Sequence, residues 1–187
     1  MAFGKDPGIA TEKAKKVKLF VHDIHGVLTP NIVYCDQKGE RRHEFWHMDG
    51  FGDLSLNMNG VTPIYLDSTS IDNEGFYRAK ELKLDKHYFK TTPEYKEAKL
   101  EEIEQSYGVT DQEVAYVGCE ITDLRIMKRV GFSVATSDAV DEVKEIAHYV
   151  TQAPGGRGAV RELCEFILRA KGLWDGWVEK VVKMGYK

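Results

Sequence analysis

The sequence predicts an α/β fold: a doubly wound parallel sheet with a small β-hairpin flap after its first strand and no large cap domain. Three observations lead there. From Asp49 onward, short β-rich runs alternate with stretches of helical period. Several of those runs end in Asp, Gly or Ser, where a chain leaving a strand must turn. A length of 187 residues at 42% hydrophobic content suffices for one domain with a buried core and leaves no room for a second full one. Repeated strand-to-helix alternation is the pattern of parallel strands joined by helical crossovers.

Taken in order, residues 1–16 are polar, lysine-rich and interrupted by Gly4, Pro7 and Gly8, which predicts a flexible tail. Residues 17–22 form a β-rich run ending in Asp23, and Gly26 allows a sharp bend after it. An acid at the carboxyl end of a strand sits on the edge where open α/β sheets bind ligands. Residues 31–36 and 41–47 flank Gln37-Lys38-Gly39 and read as the hairpin flap above that edge.

Phe51, Leu54 and Met58 have helical spacing, closed by Asn59-Gly60. A strand over 61–66 follows, then a helix near 73–84 and a short strand at 87–89. Pro93 opens the next helix, whose Leu100, Ile103 and Tyr107 share a face that Gly108 ends. The strand 114–117 runs into Gly118-Cys119-Glu120. A further unit over 127–131, a strand at 132–135, a helix on Val140, Val143 and Ile146, and a strand at 149–150 complete the alternation. Gly155-Gly156-Arg157-Gly158 opens a helix with Val160, Leu163, Phe166 and Ile167 on its apolar side. The boundaries drawn are therefore a tail at 1–16, one domain at 17–170 and an amphipathic tail at 171–187. That last segment packs on its own domain or meets another subunit.

The net charge of -4 comes from 26 basic and 30 acidic side chains that are interspersed, so no basic face points to nucleic acid. No apolar run reaches membrane-spanning length, and the charged N-terminus is unlike a signal peptide. Cys35, Cys119 and Cys164 are odd in number and form no CxxC pair, which fits a reduced, cytoplasmic compartment.

Four features in order resemble the haloacid dehalogenase-like phosphatases: Asp23-Ile24-His25-Gly26-Val27-Leu28-Thr29 after the first strand, Asp67-Ser68-Thr69 after the second, Lys96, and Gly118-Cys119-Glu120-Ile121-Thr122-Asp123. Asp49-Gly50-Phe51-Gly52, the run 113–118 and Gly155-Gly156-Arg157-Gly158-Ala159-Val160-Arg161-Glu162 are similar to one branch. That branch is the small capless 3-deoxy-D-manno-octulosonate (KDO) 8-phosphate phosphatases, with the related domain of animal CMP-sialic acid synthetases. The resemblance spans about residues 17–170. It implies a Rossmann-like fold, a homotetramer, Mg²⁺ as cofactor and a small acidic sugar phosphate as ligand.

The resemblance also assigns roles. Asp23 takes the position of the nucleophile that attacks phosphorus, and Asp23 with the residue 25 carbonyl would face the metal. The acid that protonates the leaving alkoxide is replaced by His25, which can still move protons near neutral pH. The hydroxyl that donates to phosphate is replaced by Asp67, an acceptor when ionised, with Ser68 one residue behind it. Asp67 lying near Lys96 would offset the lysine's pull on phosphate, a pair worth about 4 kcal/mol at 4 Å and an effective dielectric near 20. The aspartate that ligates Mg²⁺ is replaced by Cys119, a poor donor for a hard cation, and Glu120 and Asp123 stand nearby as substitutes. Arg157, in a glycine-rich turn at a helix start, is a candidate anion contact. His25, Cys119, Asp23 and Asp67 offer Zn²⁺ as an alternative. These departures predict a family member whose catalysis is weak or lost, or a pseudophosphatase that binds a ligand or serves assembly.

Overall fold

The computed structural model describes residues 6–67, 74–84, 87–88 and 93–184. In chain order the strands are β1 (Leu19–His22), β2 (Tyr34–Cys35), β3 (Arg41–Arg42), β4 (Thr62–Leu66), β5 (His87–Tyr88), β6 (Val114–Gly118), β7 (Phe132–Ala135) and β8 (Tyr149–Val150). Six of them form one sheet in the order β5-β4-β1-β6-β7-β8, with every pairing parallel. Leu19 is in register with Thr62 on one side and Val114 on the other, which places β1 centrally. All residues of β1, β6 and β7 are buried, so both faces of the sheet's middle are covered. This is the doubly wound α/β fold expected from the alternation.

The helices are α1 (Pro7–Lys16), α2 (His47–Met58), α3 (Glu74–Glu81), α4 (Pro93–Tyr107), α5 (Leu124–Arg129), α6 (Asp141–Ile146), α7 (Ala159–Ala170) and α8 (Trp174–Met184). One group packs α2 and α1 against α7, and another packs α5 against α4 and α6. The apolar side of α7 buries Val160, Leu163 and Ile167 as its spacing required. Its N-terminus is held by a residue from another helix: the buried Asp49 carboxylate accepts hydrogen bonds from Arg161 N at 2.8 Å and Gly158 N at 3.2 Å. Burial still pushes the Asp49 carboxyl up to about 6.

The expected loose tail is corrected by the structure. Residues 7–16 are helical, with Asp6 as N-cap accepting from Gly8 N at 2.8 Å. Pro7 at the first helical position lacks only an N–H that no helix uses there, so it starts the helix. Ala10 and Ala14, four apart, form the buried stripe, and α1 packs on α7. Lys13 Nζ also donates to Gly131 O at 2.8 Å.

The hairpin pairs Tyr34 with Arg42 and Cys35 with Arg41 only, beside the main sheet. Its turn is closed by Asp36, which accepts from Lys38 N at 2.8 Å and Glu40 N at 2.9 Å. At the other end, α8 lays Trp177 against its own domain, with the indole 6.3 Å from the Phe51 ring, while Val182 stays 77% exposed.

Strand order reverses at β1, which has β4 on one side and β6 on the other. A crevice opens at the carboxyl ends of strands where such a reversal occurs. The loops that begin at Asp23 and Gly118 leave the sheet there.

Candidate active site

Asp23 follows β1 directly, and its Oδ1 accepts from Ile24 N at 2.9 Å. The loop after it folds back on the Ile24 carbonyl, which accepts from Leu28 N at 2.9 Å and Thr29 N at 3.0 Å. Gly26 makes this loop possible. Its φ of +79° is left-handed, and a Cβ there would lie 2.5 Å from both Cys119 Sγ and Asn31 Oδ1. The glycine-rich segment braces the same loop: Gly156 N donates to Val27 O at 2.8 Å, and a Cβ on Gly155 would strike Gly26 O.

Lys96, 1% exposed, reaches the loop from the first turn of α4. Its Nζ donates to Asp23 Oδ2 at 3.0 Å, Asp123 Oδ1 at 3.2 Å and Tyr116 OH at 3.4 Å. Tyr116 OH in turn donates to Asp123 Oδ1 at 2.7 Å. Burial alone would lower the Lys96 pKa, but the Asp23 and Asp123 carboxylates hold it above the ordinary lysine range. Burial pushes the Asp23 carboxyl up to about 7 against the opposing pull of Lys96, with Asp123 and Asp67 adding to the rise. The Lys96 ammonium is thus held between the Asp23 and Asp123 carboxylates.

Asp67 pairs elsewhere. Its Oδ1 lies 3.4 Å from His25 Nδ1, and this hydrogen bond is the main reason the His25 pKa is raised, against the opposing effect of burial. The two substitutions at positions 25 and 67 therefore face one another. The His25 side chain is 33% exposed and its ring meets that of His43 edge-on at 4.6 Å, while His43 Nδ1 lies 3.2 Å from Glu74 Oε1. Ser68 lies outside the described residues.

Cys119 directly follows β6. Its Sγ donates to the His25 carbonyl oxygen at 3.4 Å. Burial first, then Asp123 and Asp23, push the thiol far above its usual range, so it stays protonated. Asp123 Oδ2 accepts from Cys119 N at 3.0 Å and Glu120 N at 3.2 Å, and its Oδ1 takes Lys96 and Tyr116. Both Asp123 oxygens are committed to the protein. Glu120 turns back to accept from Ile121 N at 2.7 Å and is exposed.

The expected metal set of Asp23, His25, Cys119, Glu120 and Asp123 is therefore only partly assembled. Among the described residues no three His, Cys, Asp or Glu side chains form a group able to hold a metal ion. A thiol is a poor donor for the oxygen shell that Mg²⁺ takes. As it stands, the donor set does not fit Mg²⁺.

Arg157 reaches the flap. Its Nη2 donates to Glu44 Oε2 at 2.8 Å, and its guanidinium lies 5.8 Å from the Trp46 ring centre. Sequence reading missed Tyr116, His43 and Glu44. Tyr116 was detectable as the one polar-tipped side chain in the apolar run before Gly118. His43 and Glu44 gave no signal, because their partners are remote in sequence.

A family profile described as haloacid dehalogenase-like hydrolase matches residues 94–163. The 3-deoxy-D-manno-octulosonate 8-phosphate phosphatase of Yersinia pestis is 31% identical over 170 residues, covering 88% of this chain and 87% of its own. The crystal structure of that phosphatase from Moraxella catarrhalis, in complex with magnesium, phosphate and KDO, superposes with a TM-score of 0.87 at 26% identity, over 93% of this chain and 98% of its own. The cobalt-bound form from Haemophilus influenzae gives 0.80 at 28% identity, over 87% and 93%. By fold, by motif order and by these likenesses, the chain belongs to the haloacid dehalogenase-like hydrolases, in the branch of the KDO 8-phosphate phosphatases.

Proposed function

We propose that this chain descends from a Mg²⁺-dependent phosphatase of acidic sugar phosphates and that hydrolysis through an aspartyl-phosphate at Asp23 is now weak or lost. One observation carries the proposal: the Cys119 thiol is bonded to the His25 carbonyl oxygen. In the family scheme those two positions face the metal together with Asp23. Here they satisfy each other, and the thiol is held in its protonated form. Magnesium takes oxygen ligands in near-octahedral geometry and gives up water reluctantly, so it gains little by displacing this contact. Without a divalent charge beside Asp23, an incoming phosphate meets Asp23, Asp67 and Asp123 with Lys96 already committed.

Isothermal titration checks this directly. Mg²⁺ added to the wild-type protein is expected to give no saturable heat up to about ten millimolar, and Cys119→Asp is expected to create a site at least ~10-fold tighter. Saturable submillimolar binding of Mg²⁺ by the wild type would defeat the proposal.

A second reading is favoured by the His25–Asp67 contact, since a carboxylate on Nδ1 orients an imidazole for proton transfer. On that reading the chain keeps slow phosphatase activity, which Asp23→Ala abolishes. The remaining proposals concern setting. The 17–170 unit acts as one domain in the cytoplasm, its ligand is a small acidic sugar phosphate or a related anion, and four copies assemble. Support for assembly comes from the flap, where Ile32, Val33 and Tyr34 are 50, 54 and 49% exposed. Light scattering is expected to give about four times the 21.2 kDa of one chain; a monomeric mass would exclude the assembly role.

A further inference from the structure

Four consecutive residues between the hairpin and α2 grip three separate parts of the structure around the Asp23 loop. His43 meets His25 and Glu74, Glu44 accepts from Arg157, Phe45 lies 6.0 Å from the Arg78 guanidinium, and Trp46 lies 5.8 Å from that of Arg157. This strap ties the loop after β1, helix α3 and the Gly155–Gly158 turn together. Glu44 also ties in the hairpin, because its other oxygen accepts from Tyr34 OH at 3.1 Å.

Arg157 is the side chain of that turn suited to gripping an anion. The turn is wedged against the Asp23 loop through Gly155 and Gly156, so Arg157 starts from a fixed base beside that loop. A guanidinium presents parallel donors that match a planar carboxylate. It already holds one, and that carboxylate belongs to the protein. The pair is solvent-accessible, with the two side chains 39% and 47% exposed, so it is weak and exchangeable.

We infer that Glu44 is an internal stand-in for the carboxylate of a sugar-acid ligand, and that Arg157 becomes the ligand's anchor when Glu44 is displaced. This inference rests on the ligand class proposed above and not on turnover. An ulosonic acid carries the required planar carboxylate, whereas a neutral sugar has nothing to exchange for Glu44. Displacement frees Glu44 and Tyr34 from the turn, so the strap opens as the ligand enters. The flanking Trp46, 43% exposed, supplies an apolar face beside the anchored group.

Calorimetry with unphosphorylated KDO separates this from any question of hydrolysis. Glu44→Gln, which keeps the shape and removes the charge, is expected to bind KDO about two- to fivefold more tightly than wild type, the scale of an exposed ion pair. Arg157→Ala is expected to abolish binding, alone or combined with Glu44→Gln. Glu40→Gln, which removes a charge from the same flap away from Arg157, is expected to change nothing. Equal gains from Glu40→Gln and Glu44→Gln would reduce the effect to general repulsion and overturn the inference. So would unchanged affinity in Glu44→Gln, retained affinity in Arg157→Ala, or a gain for inorganic phosphate without one for KDO. Thermal unfolding of each variant near the wild-type midpoint confirms that folding is not what is being read.

Discussion

Simultaneous His25→Asp, Asp67→Thr and Cys119→Asp is expected to create Mg²⁺-dependent release of phosphate from KDO 8-phosphate, on the order of 10³-fold or more above wild type. Each change restores a different requirement. A carboxylic acid at 25 returns the general acid and base, usually worth about 10²–10⁴ in rate. A hydroxyl at 67 donates to phosphate where the carboxylate accepts, and an aspartate at 119 gives the metal an oxygen. Single reversals are expected to gain little, and the geometry explains why. His25 and Asp67 face one another at 3.4 Å, so His25→Asp alone sets two carboxylates together, and Asp67→Thr alone strips the imidazole of its partner. Groups that act as a unit are not additive, so the triple variant is the informative one. A continuous phosphate assay decides it. Wild type already turning over at the triple variant's rate would end the claim that catalysis is weak or lost.

The pairing at positions 25 and 67 marks where sequence reading stopped. Both substitutions were visible as letters, yet nothing in the chain said that they touch, because their loops follow β1 and β4 and meet only when those strands lie side by side. The sheet itself was legible, since runs such as 114–117 are apolar, β-rich and end in glycine. Helix α1 was not: Pro7-Gly8 was read as a break, although Asp6 before a proline is also how helices begin. The family scheme offered Lys96 as a phosphate-binding residue, and in the structure its ammonium meets Asp23. Its second carboxylate, Asp123, and the Tyr116 hydroxyl come from the end of β6 and the turn after it, contacts set by the β1–β6 pairing and not by any local pattern.

Replacing Lys96 with Met is expected to be the most damaging single change to stability, about 3–5 kcal/mol, because it leaves a buried carboxylate without its counter-charge. For a domain of this size, that lowers the unfolding midpoint by on the order of 10 °C. Asp23 bears the loss more than Asp123 does. Among the described residues, Asp123 keeps Tyr116 OH and two backbone N–H donors, whereas the Asp23 carboxyl keeps Ile24 N alone. The sign of the pH dependence follows from this. The native Asp23 value of about 7 lies above the roughly 3.9 of an unfolded aspartate, so the native state holds a proton the unfolded chain has released, and stability falls as pH rises through that window. Removing the ammonium raises the native value further, so the deficit of Lys96→Met is expected to grow between pH 6 and pH 8. Asp23→Asn added to Lys96→Met removes the unpaired charge and is expected to recover more than half of the loss, since deleting both members of a buried pair costs far less than deleting one. Urea unfolding at both pH values tests all of this. A single-variant loss below about 1 kcal/mol, or a double variant no better than the single, would mean that the buried Lys96–Asp23 contact does not hold the site together.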